Sequence, residues 1–130
     1  MASTPPDWQA LPRHRFGNTP ALADALLALV LAGTKTATCW DAREGQNGSA
    51  IGGRWVVLDS PDRPRAILET VELTQRRFDA VDAAFAFDDR EGDRSLDAWR
   101  AAHDDYFAGE GHFASDTPLW CERFRLVALL

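Results

Sequence analysis

The hydrophobic and polar positions of this chain predict short strands that interleave with helices. Segments rich in β-branched and aromatic residues favour strands at residues 36–40, 55–58, 66–75 and 119–129. Apolar residues at helical spacing favour helices at residues 21–31, 80–87 and in the stretch after Ser95. The sequence has no internal repeat. This order of elements predicts an α+β domain built on a small sheet or barrel rather than a doubly wound fold.

The first predicted helix carries signals at both of its ends. Asn18-Thr19-Pro20 offers an N-cap followed by proline at the first helical position, and Gly33 suits the left-handed conformation that ends many helices. Lys35 therefore follows a helix end and lies at the entrance of a predicted strand. A side chain on a backbone fixed in this way is held accurately, which favours a functional role for Lys35.

The two later helices are expected to begin behind Asp79 and Ser95, which are residues of the N-cap type. In the helix after Ser95, the residues Leu96, Trp99 and His103 recur at spacings of three and four and predict a buried stripe. On such a stripe we expect His103 to be a hydrogen-bonded core residue rather than a ligand.

One strand and one loop carry further expectations. The strand predicted at 66–75 should place Ile67, Val71 and Leu73 on a single face. The polar, glycine-rich segment 41–53 is expected to form a mobile loop at the edge of any site.

Length and composition fit one packed domain. The 130 residues are 45% hydrophobic and include five Trp and seven Phe, which is enough for a continuous core. Residues 1–15 are proline-rich and predict an arm over the surface, which leaves residues 16–130 as the domain. We expect no membrane span and no signal peptide, since long apolar runs are missing. Cys39 and Cys121 are far apart and no His/Cys group has zinc-ligand spacing, which predicts reduced thiols in a cytoplasmic protein without a structural metal.

The charge of the chain is unevenly distributed. The net charge is −6, which argues against a non-specific nucleic-acid binder. Residues 79–116 hold eleven acidic residues against three arginines, a balance of −8, so the remainder carries +2. A local basic cleft on an acidic protein would favour a small or short ligand over long duplex DNA.

Lys35 is the only lysine beside thirteen arginines. Lysine differs from arginine because its compact ammonium changes pKa readily on burial, so it can act as a base or nucleophile. The alternative is that a single lysine falls at this position by chance. With the hydroxyl of Thr38 and a carboxylate from elsewhere, Lys35 would form a set able to hydrolyse a bond. The sequence has no Walker phosphate loop, no nucleophile elbow and no His-Glu-x-x-His motif.

Three blocks of the sequence resemble a known family. They are Gly33-x-Lys35-x-x-Thr38, then Glu91-Gly92-Asp93-Arg94-Ser95-Leu96 with Trp99-Arg100 and His103, and finally Cys121-Glu122-Arg123-Phe124. Together they resemble the longer bacterial members of the ASCH domain family, a branch of the PUA-like superfamily. The resemblance extends over residues 16–128.

The resemblance implies a small PUA-like β-barrel with helices packed around it and a cleft suited to RNA or a nucleoside. Characterised relatives include an amidohydrolase of acetylcytidine and a metal-dependent ribonuclease that acts on single-stranded RNA. By similarity to the amidohydrolase, Lys35, Thr38 and Glu91 are the expected catalytic residues, with Asp93 as the alternative carboxylate. The leading hypothesis is therefore an ASCH-type hydrolase of RNA or a modified nucleoside. The alternative is a module that binds RNA or a nucleotide without catalysis.

Residues around these blocks are candidates for substrate binding. They are Thr36, Trp40, Arg43, Asp93 and Arg123. Trp40 would stack on a base or fill the core, and Arg43 would hold a phosphate or ribose. Arg123 would contact the ligand or pair with Glu122 or Asp93. No resident metal is expected, and manganese is considered only for the ribonuclease activity.

Overall fold

The computed structural model describes residues 7–17, 19–46, 49–89, 95–108 and 114–130, without the side chains of 104–108. The strands in this part of the chain are β1 (Arg13–His14), β2 (Ala37–Asp41), β3 (Arg54–Leu58), β4 (Pro64–Arg77) and β5 (Pro118–Leu129). The α-helices are α1 (Pro20–Leu31), α2 (Ala83–Asp89) and α3 (Leu96–Ala108). Short 3-10 turns cover Trp8–Ala10, Ala42–Glu44 and Phe78–Ala80.

The strands form one mixed sheet in the order β1-β3-β4-β5-β2. β1 runs parallel to β3, and every other neighbouring pair is antiparallel. The long strands β4 and β5 form the central ladder, which extends from Ala66–Leu129 to Arg77–Pro118. A mixed sheet with three described helices confirms the predicted α+β class. Among the described residues β1 and β2 are the outer strands, and no ladder joins them.

Helix α1 fixes the position of Lys35, as the sequence predicts. The helix begins with the side chain of Thr19, which accepts a hydrogen bond from the Leu22 amide at 3.1 Å. It ends before Gly33, whose φ of 78° requires the left-handed region that glycine adopts without strain. The amides of Thr34 and Lys35 then both donate to the carbonyl of Leu29, at 2.9 and 3.1 Å. These bonds hold the reversed chain against the helix end.

The beginning of α2 differs from the prediction. The helix starts at Ala83, and Asp82 accepts from the amide of Phe85 at 2.8 Å. Asp79 lies instead in a 3-10 turn, in which the amides of Phe78 and Asp79 donate to Thr117 and Ser115 before β5. These tertiary bonds anchor the turn, and the helix begins about one turn later than predicted. The predicted cap of α3 is confirmed, since Ser95 Oγ accepts from the amide of Ala98 at 3.1 Å.

A bulge in β4 overturns the predicted face of Val71. Thr70 pairs with Phe124 and Glu72 with Arg123, so Val71 is an extra residue on this strand. Val71 is consequently 46% exposed, whereas Ile67 is fully buried. Thr70, immediately before the bulge, is buried like Ala66 and Leu68 on the same strand.

The N-terminal residues that are described lie against the sheet. Trp8 and Leu11 pack on the buried residues Val56, Ile67 and Val127, and the following residues form β1. The main core lies between α1 and the sheet, and a second cluster joins α2 and α3 to β2 and β5. None of the helices in the described ranges has the length and apolar character needed to cross a membrane.

Candidate functional site

A small cleft opens between the two outer strands of the sheet. Its volume is about 190 Å³, and its lining residues come from both outer strands and from the middle of the sheet. We call it the Glu122 cleft, and its lining includes Thr38, Trp40, Trp55, Thr70 and Glu122. The segment predicted as a loop at the edge of a site also lines it, through Gln46, Ser49, Ala50 and Gly53.

Glu122 is a buried carboxyl that hydroxyl groups hold in place. Only 3% of the residue is exposed. Ser49 Oγ donates to Oε2 at 2.9 Å, and Thr70 Oγ1 donates to Oε1 at 3.1 Å. Burial raises the pKa of Glu122, and the hydroxyls of Ser49 and Thr70 offset part of this rise. The buried Trp55 indole N–H contributes least to this offset, because it does not reach hydrogen-bond geometry with any described group. No cation forms a salt bridge with Glu122 among the described residues.

Thr38 lies directly opposite Glu122. The two residues are register partners across the antiparallel pair of β2 and β5. Side chains of directly opposed residues lie on the same face of a sheet, about 4.5–5.5 Å apart at their Cβ atoms. Both side chains also line the Glu122 cleft. The hydroxyl of Thr38 and the carboxyl of Glu122 therefore face the same space.

Lys35 is not among the residues that line the Glu122 cleft, and it is 2% exposed. Its Nζ donates to the carbonyl of Ala37 at 2.7 Å, to the carbonyl of Asp89 at 2.8 Å and to the Asp89 carboxylate. The ring of Phe16 lies 5.5 Å from Nζ. These three acceptors match the three donors of an ammonium group. Lys35 thus ties the start of β2 to the end of α2.

Asp89 collects donors from three other residues. Trp99 Nε1 donates to Oδ2 at 2.8 Å, His103 Nε2 lies 3.3 Å from Oδ2, and Cys39 Sγ lies 3.7 Å from it. Burial acts to raise the pKa of Asp89, but Lys35 and His103 outweigh burial and hold that pKa well below its ordinary value. Lys35, Cys39, Asp89 and His103 line a second cavity of about 190 Å³, which we call the Asp89 cavity.

The two cavities share one wall. Phe16, Gly17, Thr38 and Cys39 line both of them. Lys35 and Thr38, which the sequence proposes as a catalytic pair, therefore lie at the same site. In the described contacts, however, the Nζ of Lys35 bonds to Ala37 and Asp89 rather than to Thr38.

The residues predicted to bind substrate occupy different places. Trp40 lines the Glu122 cleft and donates its indole N–H to the carbonyl of Gly45 at 2.7 Å. The backbone of Thr36 joins α2 and β5, because its amide donates to Asp88 at 2.8 Å and its carbonyl accepts from Phe124 at 3.0 Å.

The two predicted arginines pair with nearby carboxylates. Arg43 chelates Asp41 with Nε–O distances of 3.0 Å, and this side-chain bond lowers the pKa of Asp41. Arg123 pairs with Asp88 and, at 3.4 Å, with Glu72, and it covers the ring of Phe85. Of the proposed partners of Arg123, Asp93 lies outside the described residues, as does the catalytic candidate Glu91.

Sequence reasoning did not single out the two carboxyls that the fold brings to the site. Glu122 stood in the third family block but was considered only as a partner of Arg123. Asp89 stood within an acidic run, and it contacts Lys35 across 54 residues. A buried carboxyl opposite Thr38 could have been found only by fixing the register of β2 against β5.

Comparisons with known proteins agree with this fold. A family profile described as the ASCH domain matches residues 13–128. The crystal structure of an ASCH domain from Lactobacillus crispatus JV V101 is 28% identical, has a TM-score of 0.82, and matches over 92% of this chain and 81% of that one. A crystal structure of a protein from Enterococcus faecalis V583 is 27% identical, with a TM-score of 0.81 over 92% of this chain and 82% of that one. None of the curated protein sequences matches this chain. Because the profile spans nearly the whole length, the chain belongs to the ASCH domain family.

Proposed function

We propose that this chain is a hydrolase of a modified nucleoside, or of one nucleotide unit of a short single-stranded RNA, bound in the Glu122 cleft. The observation that carries the proposal is the pairing of Thr38 with Glu122. A hydroxyl and a buried carboxyl whose pKa is raised face one small cleft. A carboxyl with a pKa nearer to neutrality is a more effective proton carrier at physiological pH than an exposed one.

In the proposed reaction, Thr38 positions the attacking water and Glu122 carries the proton. The ionised Glu122 takes a proton from the water as the water oxygen bonds to the acyl carbon of the substrate. The bond between that carbon and the leaving nitrogen then breaks, and Glu122 returns the proton to the nitrogen. An amide of the acetylcytidine type is the corresponding substrate. Glu91 remains a proposed second carboxylate of the site.

Lys35 has a positioning role in this proposal. Its three hydrogen bonds hold the start of β2, and β2 carries Thr38. Correct placement of a reacting group lowers the activation barrier by several kcal/mol. Loss of Lys35 would therefore reduce turnover even though Lys35 itself does not contact the substrate.

The size and the walls of the cleft support a small ligand. A volume of about 190 Å³ lies below the roughly 300–1,000 Å³ of pockets for drug-sized ligands. Trp40 and Trp55 offer aromatic surfaces on which a base can stack. We further propose that the sheet curls into a PUA-like barrel around this cleft, because residues of both outer strands line it.

The second candidate function is binding of RNA or a nucleotide without catalysis. It is favoured by the contacts of Lys35, whose three donors all point to groups of the protein. Such a lysine holds the fold and offers no N–H to a substrate.

The test is to incubate the pure protein with N4-acetylcytidine and with a labelled single-stranded RNA, each with and without manganese. We expect turnover that Glu122→Gln and Thr38→Val reduce by at least about 100-fold, which is the usual share of a positioned acid or base. Glu72→Gln and Thr74→Val are matched controls, because neither residue lines the cleft. Saturable binding without product under every condition would favour the binding module and contradict the hydrolase.

A further inference from the structure

We propose that Cys39, Asp89 and His103 form a binding site for a zinc ion in the Asp89 cavity. The three residues come from β2, the end of α2 and the middle of α3. One ligand atom of each residue lies within 4.8 Å of the other two. Their positions in the sequence have no zinc-motif spacing, so only the fold brings them together.

The separations of the ligand atoms match a tetrahedral zinc site. Zinc bonds are about 2.3 Å to sulfur and about 2.0–2.2 Å to nitrogen and oxygen. At tetrahedral angles these bond lengths place nitrogen and oxygen about 3.4 Å apart, and sulfur and oxygen about 3.6 Å apart. The observed separations are 3.3 Å from His103 Nε2 to Asp89 Oδ2 and 3.7 Å from Cys39 Sγ to the same oxygen. Two of the three separations thus match a tetrahedral site, and the ligand atoms of Cys39 and His103 lie within 4.8 Å of each other.

The groups around the ligands already orient them for a metal. His103 Nδ1 lies 3.0 Å from the carbonyl of Trp99, a contact that fixes the ring with Nε2 directed at Asp89, so that a bound ion would replace the proton between Nε2 and the carboxylate. Metal-binding histidines usually donate their second N–H in this way. Asp89 is held through Oδ1 by Lys35 and through Oδ2 by the indole N–H of Trp99. The ion would take the place on Oδ2 that Cys39 Sγ and His103 Nε2 now contact.

The ligand types select the metal, and binding requires the loss of protons. Binding releases the thiol proton of Cys39 and the proton between His103 Nε2 and Asp89 to solvent, and the thiolate with the Asp89 carboxylate then neutralises the ion. Lys35 keeps its bond to the far carboxylate oxygen. Thiolate and imidazole ligands favour zinc, whereas manganese and magnesium prefer oxygen ligands. The donor set thus fits zinc better than the manganese considered from family resemblance.

Three protein ligands leave one zinc position open, which is the arrangement of catalytic rather than structural zinc sites. The open position faces a cavity that Phe16, Lys35 and Thr38 also line. Since Thr38 and Cys39 line both cavities, a ligand atom on the ion would lie next to the Glu122 cleft. The zinc site stands on its own geometry and does not require the proposed hydrolysis.

The test is metal binding by the chelator-treated full chain. Cobalt(II) serves as a spectroscopic probe, and we expect one equivalent to give the visible bands of a tetrahedral site together with a thiolate-to-cobalt charge-transfer band. Cys39→Ser should lose the charge-transfer band. Cys121→Ser, the matched control from outside the cluster, should keep it.

Zinc titration followed by calorimetry and thermal unfolding gives the second readout. We expect zinc to raise the Tm of the wild-type chain, and manganese at the same concentration to leave it unchanged. Cys39→Ser and His103→Asn should weaken zinc binding by more than about tenfold, the change that follows even from loss of an outer-shell partner. Circular dichroism of the metal-free variants confirms that they fold. Equal zinc affinity in both variants and in the wild type, or no binding by the folded wild type, would overturn the proposal.

Discussion

Two buried carboxyls lie on either side of strand β2, and the fold treats them in opposite ways. Asp89 accepts from the ammonium of Lys35 and the indole of Trp99, and its pKa is lowered. Within the part of the chain that the structure describes, Glu122 accepts from the hydroxyls of Ser49 and Thr70 and from no cation, and its pKa is raised. Both are about equally buried, so burial alone does not decide the protonation state. The charge of the surrounding donors decides it.

The difference in pKa suits Asp89 and Glu122 to different roles. A carboxylate that a cation keeps ionised can anchor elements of the fold and bind a metal ion. A buried carboxyl without a cation keeps its proton to a higher pH than an exposed one, which suits it to carry a proton in acid–base catalysis.

The largest expected effect is on the Asp89 side. Lys35→Met leaves the Asp89 carboxylate buried without its cation, so the free energy of unfolding should fall by about 3–5 kcal/mol in urea denaturation. The double variant Lys35→Met/Asp89→Asn removes the stranded charge as well and should recover part of this loss. A loss below about 1 kcal/mol in the single variant would show that the pair does not hold the two elements together.

The corresponding change on the Glu122 side is Thr70→Val. It removes one of two hydroxyl donors to a buried carboxyl and should cost about 1–3 kcal/mol of unfolding free energy. Because the hydroxyl lowers the pKa of Glu122, its loss should also move the acid limb of the activity profile to higher pH. Thr74→Val is the control. An unchanged acid limb in Thr70→Val would contradict the role of Glu122 as the proton carrier.

The pH dependence of stability should have opposite signs on the two sides. Glu122 has a raised folded-state pKa, so it contributes stability below its ordinary value of 4.5, and this contribution is lost as pH rises through the folded pKa. Glu122→Gln should therefore become more stable relative to the wild type as pH rises. Asp89 contributes stability above its ordinary value of 3.8, which is lost as pH falls. Urea denaturation at a series of pH values measures the difference in unfolding free energy between each variant and the wild type. If this difference changed with pH in the same direction for Glu122→Gln and Asp89→Asn, the comparison would be contradicted.

The smallest expected effect concerns the bulge that follows Thr70 on β4. Val71 is the extra, exposed residue of that bulge, so Val71→Ala should change the unfolding free energy by no more than about 0.5 kcal/mol. Ile67→Ala on the same strand should cost about 2–5 kcal/mol because Ile67 is fully buried. Similar losses of unfolding free energy in the two variants would contradict the bulge and favour the regular strand that the sequence pattern predicts.

Local signals were sufficient for most of the fold. Thr19, Pro20 and Gly33 define both ends of α1, and Ser95 caps α3, because caps depend on residues within one turn. The predicted strands correspond to β2, β3, β4 and β5, because runs of β-branched and aromatic residues are also local signals. Composition and the helix end singled out Lys35, family resemblance joined it to Thr38, and both residues line the Asp89 cavity.

The features that the sequence did not predict depend on contacts between distant residues. The 3-10 turn at Asp79 is anchored by a bond to Ser115, and the outward position of Val71 follows from the pairing with β5. The two carboxyls were missed for the same reason. Asp89 reaches Lys35 across 54 residues and Glu122 reaches Thr70 across 52, and no periodicity in the sequence records such distances.

The contrast between Asp89 and Glu122 is tested most directly by an NMR titration of the side-chain carboxyl carbons, assigned with Asp89→Asn and Glu122→Gln. We predict that Glu122 titrates above 4.5 and Asp89 below 3.8, the ordinary values of their residue types. Titration of Glu122 at or below its ordinary value would contradict the account. It would remove the proton carrier on which the proposed hydrolysis rests.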